Sequence, residues 1–511
     1  MKTAIVAVLF AAALSTAAPA QEAFVGETLI SSRISNDSYL MAMDFSVVKT
    51  WHGATPPATF AYLRPDGSIL RPCADVTATW GIGGAGGRIQ IIDTNDVIVW
   101  DYFVSDSLKL QHHDVEPMPD GNVLVIAWER KFRAEATAAG RETLPIGEMW
   151  PTLILELEPV GLTGANVVWE WHLWDHFIQD VDSNKSNYGV VADHPELVDI
   201  NWPVVSNGSF DHANAVDYNP QLDLVVFSAR AMSEIYVIDH STTMAEAAGH
   251  TGGFHGKGGD IVYRWGNPAV YRRGTPADHY YYSVHGANWI DPGLPGAGGI
   301  LTFNNGNRDG AANDYSSVED IHPPTDANGH FIIAPGEPYG PAAPSWRYED
   351  RVNDIFYSMN KGGAFRLPNG NTLICESNDN QLFEVTSAGV KVWAFPTPGE
   401  LHRAPRYWDE ATAVAPPADG GPDLHPSYPN PFNPHTTIAF ELTAPGRVTL
   451  EVFDIGGRHI VTLVDEELGA GRHDVPWQGR NSDGRAVVSG VYFYRLSTPG
   501  FARRGKMVLT K

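Results

Sequence analysis

Cysteine is almost missing from this chain, with only Cys73 and Cys375 in 511 residues. That scarcity excludes a disulfide-scaffolded small domain and a cysteine-rich zinc site, leaving one long-range disulfide or two separately buried thiols. Basic residues are short as well: 35 Lys and Arg stand against 60 Asp and Glu, a formal charge of -25 at pH 7. No nucleic-acid partner is therefore expected, and any anion site must be built from local cations against an acidic field. After the first 14 residues no run approaches the roughly 20 apolar residues of a membrane helix, so no membrane span is expected. A glycine-rich phosphate loop is also lacking, which argues against a nucleotide donor.

What the chain has in quantity is glycine (50), proline (37) and tryptophan (15), a mixture that favours many short strands joined by tight turns. With 43% hydrophobic residues it can bury a large core, and its length predicts more than one domain. A β-branched strand ending in Trp recurs at Val47–Trp51, Val97–Trp100, Val167–Trp169, Ile261–Trp265 and Val390–Trp393, with a weaker copy at Ser345–Trp346. In the better copies a Pro-Asp-Gly or Pro-Asn-Gly turn and a second strand follow, as at Pro65–Gly67, Pro119–Gly121 and Pro368–Gly370. Six units of roughly 60 residues predict an all-β, six-bladed β-propeller over residues 21–411. A pair of β-sandwiches is the bland alternative, but it gives no reason for Trp, turn and strand to repeat together. Insertions at about 130–150, 175–210 and 305–345 are expected to shape one face.

The two ends read differently. Lys2, the apolar run Ala4–Leu14 and Ala18-Pro19-Ala20 form a secretory signal peptide over residues 1–20, predicting a secreted protein cut after Ala20. Residues 412–426 are a Pro- and Gly-rich linker. Residues 427–511 alternate as strands do, as in Val448, Leu450 and Val452, and predict a small Ig-like β-sandwich.

The chemistry is written in the placement of histidines. His112 and His113 precede the Pro-Asp-Gly turn of one unit, and His212, His285, Lys361 and His402-Arg403 hold corresponding points in the others. Residues at equivalent blade positions converge on a central channel, so this set is one pocket despite its spread in sequence. Asn214 lies beside His212, and Arg230 follows one strand later. Imidazoles, neutral or protonated, an amide and a guanidinium, with few carboxylates, suit an anionic oxyacid group, and imidazole can also act as a nucleophile. A His-ligated metal hydrolase is a rival reading, weakened by the Arg in the set. Asp180–Ser186 resembles the start of a calcium loop, but Val191 stands where the terminal Glu should be, so a solvated loop is expected.

Across roughly residues 80–407 the chain resembles the bacterial arylsulfate sulfotransferase family. The resemblance rests on His112-His113-Asp114, the run Trp169–His176, the stretch from His212 through Ser233–Asp239, Tyr263–Pro268, Phe303–Arg308 and Arg366–Glu376. It implies a six-bladed propeller and transfer of a sulfuryl group, independent of PAPS and ping-pong in order, from an aryl sulfate donor to a phenolic acceptor through a sulfohistidine. By motif His285 falls on the nucleophile, while His112 or His113, His212, Asn214 and Arg230 fall on the sulfate-binding set; no cofactor and no metal is implied. The alternative is a non-catalytic surface propeller that binds glycan or protein. From Ser427 onward, Tyr428–Pro434, Val452–Arg458, Trp477–Gly484 and Ser489–Tyr494 resemble the sorting domains of type IX secretion and the FlgD-like immunoglobulin fold. That implies secretion machinery as a partner, with the protein periplasmic in transit and then extracellular or attached to the cell surface.

Overall fold

A computed structural model of the chain describes residues 22–202, 206–308, 314–326, 328–351, 355–408, 423–424, 427, 432–442, 445–454, 458–482, 484–498 and 501–510. The expected signal peptide, all but two residues of the expected linker and sorting-motif residues 428–431 lie outside the described residues.

The fold is all-β and propeller-like, with few and short helices. From residue 27 to residue 407 six four-stranded antiparallel sheets follow one another. The second runs Tyr62–Leu63, Ile69–Ala74, Gly87–Ile92, Ile98–Phe103, and the third Lys109–Pro117, Val123–Glu129, Thr152–Val160, Gly164–His172. The fourth begins at Ala213–Asn219, the fifth at His285–Trp289 and the sixth at Gly363–Arg366, each continuing as a meander. The first sheet is assembled from both ends of this region: Arg406–Tyr407 pairs with Glu27–Ser31, followed by Asp37–Met41 and Val47–His52.

The sequence repeat has a local cause. The Pro-Asp-Gly and Pro-Asn-Gly turns join the first and second strands of the second, third and sixth sheets. There Asp66, Asp120 and Asn369 each accept the backbone N–H two residues on, at 2.9–3.0 Å. The repeated tryptophans sit on the fourth strands, and their indole N–H groups reach into the next sheet. Trp51 donates to Asp93 O (3.1 Å), Trp100 to Gly164 O (2.8 Å), Trp169 to Thr242 Oγ1 (3.2 Å), Trp265 to Pro341 O (2.8 Å) and Trp346 to Ser387 O (2.8 Å). Each Trp thus buries its ring in a seam and satisfies its donor across it.

Apolar clusters fill every seam between successive sheets. Ile30, Leu382 and Leu401 fill the seam between the sixth and the first, so the series closes on itself. Across that closure the buried Arg406 guanidinium meets Glu384 at 2.5 Å, and Glu384 also accepts from Phe24 N (2.7 Å) and Asn371 Nδ2 (2.6 Å). Cys73 and Cys375 are both free and buried, in the second and sixth sheets; of the two readings, separate thiols is the one observed.

Residues 424–509 hold a core of their own. A three-stranded sheet of Asp423–Leu424, Thr436–Leu442 and Gly471–Trp477 and a four-stranded sheet of His459–Leu468, Gly446–Asp454, Gly490–Thr498 and Phe501–Leu509 share it. The alternating Val448, Leu450 and Val452 point into that core, as their period of two requires.

Candidate active site

The first strands of the third and fifth sheets carry His112, His113 and His285, and His212 immediately precedes that of the fourth, all through irregular backbone. Pairing with the second strand slips between Gln111 and Val115 in the third sheet, between Ala213 and Val216 in the fourth, and between His285 and Asn288 in the fifth. At these bulges or just before the strand, His113, His212 and Lys361 adopt φ of 52°, 54° and 61°. Left-handed non-glycine residues cost of order 1–3 kcal/mol each and persist only where their surroundings enforce them. Gly286, at φ 61°, needs to be glycine for a second reason: a Cβ there would lie 2.9 Å from Gly363 Cα. The bulges turn side chains of three sheets toward one place.

His285 is the most completely specified of them. Asn305 donates its Nδ2 to Ser358 O (2.8 Å) and Lys361 O (2.7 Å), which fixes its Oδ1 as an acceptor. That oxygen lies 2.6 Å from His285 Nδ1, and Ser283 O lies 3.2 Å from the same nitrogen. Two acceptors around Nδ1 place the ring proton there, so Nε2 carries the lone pair. Nε2 accepts from the Lys361 backbone N–H at 3.3 Å.

Around it the rings of His113 and His212 stand edge to face at 4.9 Å, and His402 lies 6.4 Å from His113. His112 is behind: its ring stacks on Trp128 at 4.1 Å, is fully buried, and meets His113 through the two Nδ1 atoms at 2.9 Å. Of the adjacent pair, His113 therefore faces the cluster. His212 Nδ1 is held by Ser209 Oγ at 3.0 Å. Arg230 follows the second strand of the fourth sheet, with its backbone N–H on His212 O (3.3 Å). Its guanidinium acts electrostatically on both His212 and His285 and, among the described residues, has no carboxylate partner. Lys361, by contrast, is paired with Glu400.

Asn214, expected among the sulfate-binding residues, has two protein partners of its own. Its Nδ2 donates to Val284 O (3.0 Å) and its Oδ1 accepts from Ser228 Oγ (2.5 Å), so the amide ties the fourth sheet to the residue before His285.

Burial, and secondarily the Arg230 charge, pushes the imidazoles of His285 and His212 down to about 3. His112, His113 and His402 are held well below the usual histidine range, chiefly by burial. Burial thus favours the neutral form of each imidazole of the cluster. The positive charge of the site belongs to Arg230.

The expectation of few carboxylates does not hold for the surroundings of the cluster. Asp114, next to His113, pairs with Arg403 and accepts the Val216 N–H at 2.9 Å, while Arg403, Glu116, Asp217 and the exposed Asp291 line a cavity of about 670 Å³. Burial raises Glu116 and pushes Asp217 up to about 8.

A propeller-like, all-β architecture with a buried cluster of neutral imidazoles and one guanidinium that has no carboxylate partner among the described residues makes a site able to bind an oxyanion beside a nucleophilic nitrogen. Residues 82–322, which include every residue of that set except His402, match the model of the Arylsulfotransferase (ASST) family, and that match supports this family for the chain. No curated protein matches the chain. Among solved structures, a protein of unknown function from Bacteroides caccae is 12% identical, with a TM-score of 0.40 over 76% of this chain and 100% of that one. A catalytically inactive virginiamycin B lyase from Staphylococcus aureus with quinupristin is 10% identical, with a TM-score of 0.34 over 81% of this chain and 91% of that one. A streptogramin B lyase is 9% identical, with a TM-score of 0.34 over 82% of this chain and 87% of that one.

Proposed function

We propose that the chain is an aryl sulfotransferase that moves a sulfuryl group from an aryl sulfate to a phenol through a sulfohistidine at His285. The observation that carries this reading is the lone pair of His285 Nε2, set by Asn305, beside the unpaired Arg230. In the first half-reaction Nε2 attacks sulfur, the S–O bond to the aryl group breaks and the phenolate leaves with its electron pair. The imidazole then carries SO₃ on Nε2 and its proton on Nδ1, where Asn305 steadies the positive charge. In the second half the oxygen of an acceptor phenol attacks sulfur, the N–S bond breaks, and His285 returns neutral. In this scheme the phenolate leaves unprotonated, and a neutral His113 or His212 takes the proton of the acceptor phenol as its oxygen attacks. Arg230 neutralises the sulfuryl oxygens throughout, the contribution that group transfer of this kind needs most.

In this reading the six sheets are the six blades of one propeller over residues 21–411, and residues 427–511 form an Ig-like sorting domain after the 412–426 linker. With the signal peptide, that domain makes the protein a secreted one.

Purified protein incubated with a chromogenic aryl sulfate tests the proposal. Donor alone should give a burst of phenolate of one equivalent per chain, with steady turnover only when a phenol is added, and quenched protein should carry the sulfuryl group on the peptide containing His285. His285→Ala should show neither. Label on His113 or His212 would reassign the nucleophile, and full turnover in His285→Ala would end the sulfohistidine reading.

A further inference from the structure

A second histidine cluster lies apart from this site, in one insertion after the third sheet and another within the fourth. His176 ends the short turn Leu173–His176, directly after the outer strand of the third sheet. His250 and Asp260 belong to the excursion between the third and fourth strands of the fourth sheet. His176 is fully buried, with its ring stacked on Trp171 at 5.4 Å and an interplanar angle of 6°. Trp171 in turn donates its indole N–H to Gly259 O (2.6 Å), next to Asp260. Gly259 has no room for a side chain: a Cβ would collide with Ala247 O and lie 2.8 Å from His176 Nε2.

Two imidazoles converge on one carboxylate here. His176 Nε2 faces Ala247 O at 2.9 Å, and a carbonyl only accepts, so Nε2 carries a proton. In the neutral form that a metal ligand requires, Nδ1 then holds the lone pair. That nitrogen points at Asp260 Oδ1, 2.8 Å away, and His250 Nδ1 points at the same oxygen from 2.7 Å. All three donor atoms lie within 4.8 Å of one another. Two imidazole nitrogens and one carboxylate oxygen gathered on a point are what a borderline divalent metal takes, and a ligating His with its other N–H on a backbone carbonyl is the usual outer support.

We propose that His176 Nδ1, His250 Nδ1 and an Asp260 carboxylate oxygen form a binding site for a divalent transition metal of the zinc type. Three protein ligands leave one position for water. His250, whose side chain is 59% exposed, also lines a cavity of about 490 Å³, so the ion has a path from solvent. Because its ligands come from insertions of neighbouring sheets, the metal would staple the seam between the third and fourth sheets. It lies outside the sulfuryl-transfer cluster and does not depend on that reading.

The full-length protein, stripped with a chelator and dialysed, should bind one Zn²⁺ per chain by titration calorimetry, and Zn²⁺ should raise its thermal unfolding midpoint. Co²⁺ should give the intense visible absorption of a four-coordinate site. His250→Ala, at an exposed position that leaves the core intact, should weaken Zn²⁺ binding roughly tenfold or more and abolish the cobalt band; Asp260→Asn should do the same. Absence of Zn²⁺ binding at about 100 μM by the wild-type chain, or binding that both variants leave unchanged, would overturn the assignment.

Discussion

Replacing Asn305 by Leu keeps the side-chain shape and removes the acceptor that holds the Nδ1 proton of His285. Ser283 O remains, at a longer 3.2 Å, so the ring is less strongly held in the tautomer that leaves Nε2 free. The larger loss comes once the imidazole carries a positive charge, when the hydrogen bond from Nδ1 is charge-assisted and worth about 1.5–3 kcal/mol. At about 1.4 kcal/mol per tenfold, phenolate release in a single turnover should slow roughly 10- to 100-fold. The variant also strips a donor from Lys361 O, so a stability loss of about 1–3 kcal/mol is expected alongside. Stopped-flow release of a chromogenic phenolate measures the rate, thermal unfolding measures the stability, and ¹⁵N NMR of the histidines reports which nitrogen bears the proton. A rate within twofold of wild type, with the His285 tautomer unchanged, would refute the argument that Asn305 prepares the nucleophile.

The pH dependence of kcat/KM should be flat down to about pH 4.5, because free His285 is neutral above about 3; an ordinary histidine would already lose about tenfold by pH 5.5. Stability should move the other way from a histidine that gains an acidic partner. With folded-state values near 3 for His285 and His212, the unfolded chain binds more protons below about 6.5, so the unfolding midpoint should fall as pH drops from 6.5 toward 4 in a thermal scan. Arg230→Ala should lower kcat/KM by about 10²–10³, the range for losing one oxyanion stabiliser, while initial-rate plots keep their parallel ping-pong pattern. Arg406→Met should destabilise the chain by about 3–5 kcal/mol in denaturant titration, since it leaves Glu384 as an uncompensated buried charge.

The repeat was legible because one residue type does one job five times over: each outer-strand Trp fills a seam and donates across it, so selection for the contact writes a period into the chain. Histidine placement was legible for the same reason, through the phase of the turns that follow the first strands. Asn305 stood inside a quoted motif, yet nothing in its neighbours announces that two backbone carbonyls orient its amide. The signal was faint: an Asn pair closing an otherwise apolar strand, Ile300–Asn304, is an unusual choice for a buried position. Asn214 read as a ligand contact because its spacing from His212 was right; its hydrogen bonds to Val284 and Ser228 are tertiary and leave no trace in spacing. The carboxylates around the neighbouring cavity were missed because Asp217 and Asp291 come from a strand and a loop where acids are ordinarily solvated. The triad of His176, His250 and Asp260 has no ligand-spacing pattern at all, since two insertions supply it.

The first sheet ends where the chain of sheets ends, and that has a consequence in time. As the polypeptide emerges from its N-terminus, Glu27–Ser31 has an open edge that stays open until Arg406–Tyr407 arrives; the hydrogen bond from Arg406 Nε to Thr28 spans 378 positions. Contacts so distant in sequence are slow to form, and an unpaired edge is an invitation to the wrong strand. His402 and Arg403 arrive in that same final stretch, so the mouth and the ring are completed by the same last few residues. A nascent chain stopped short of residue 402 would lack His402 and Arg403 and keep that edge open. Whatever handles this protein during synthesis must therefore keep its first strands waiting for nearly the whole length of the ring.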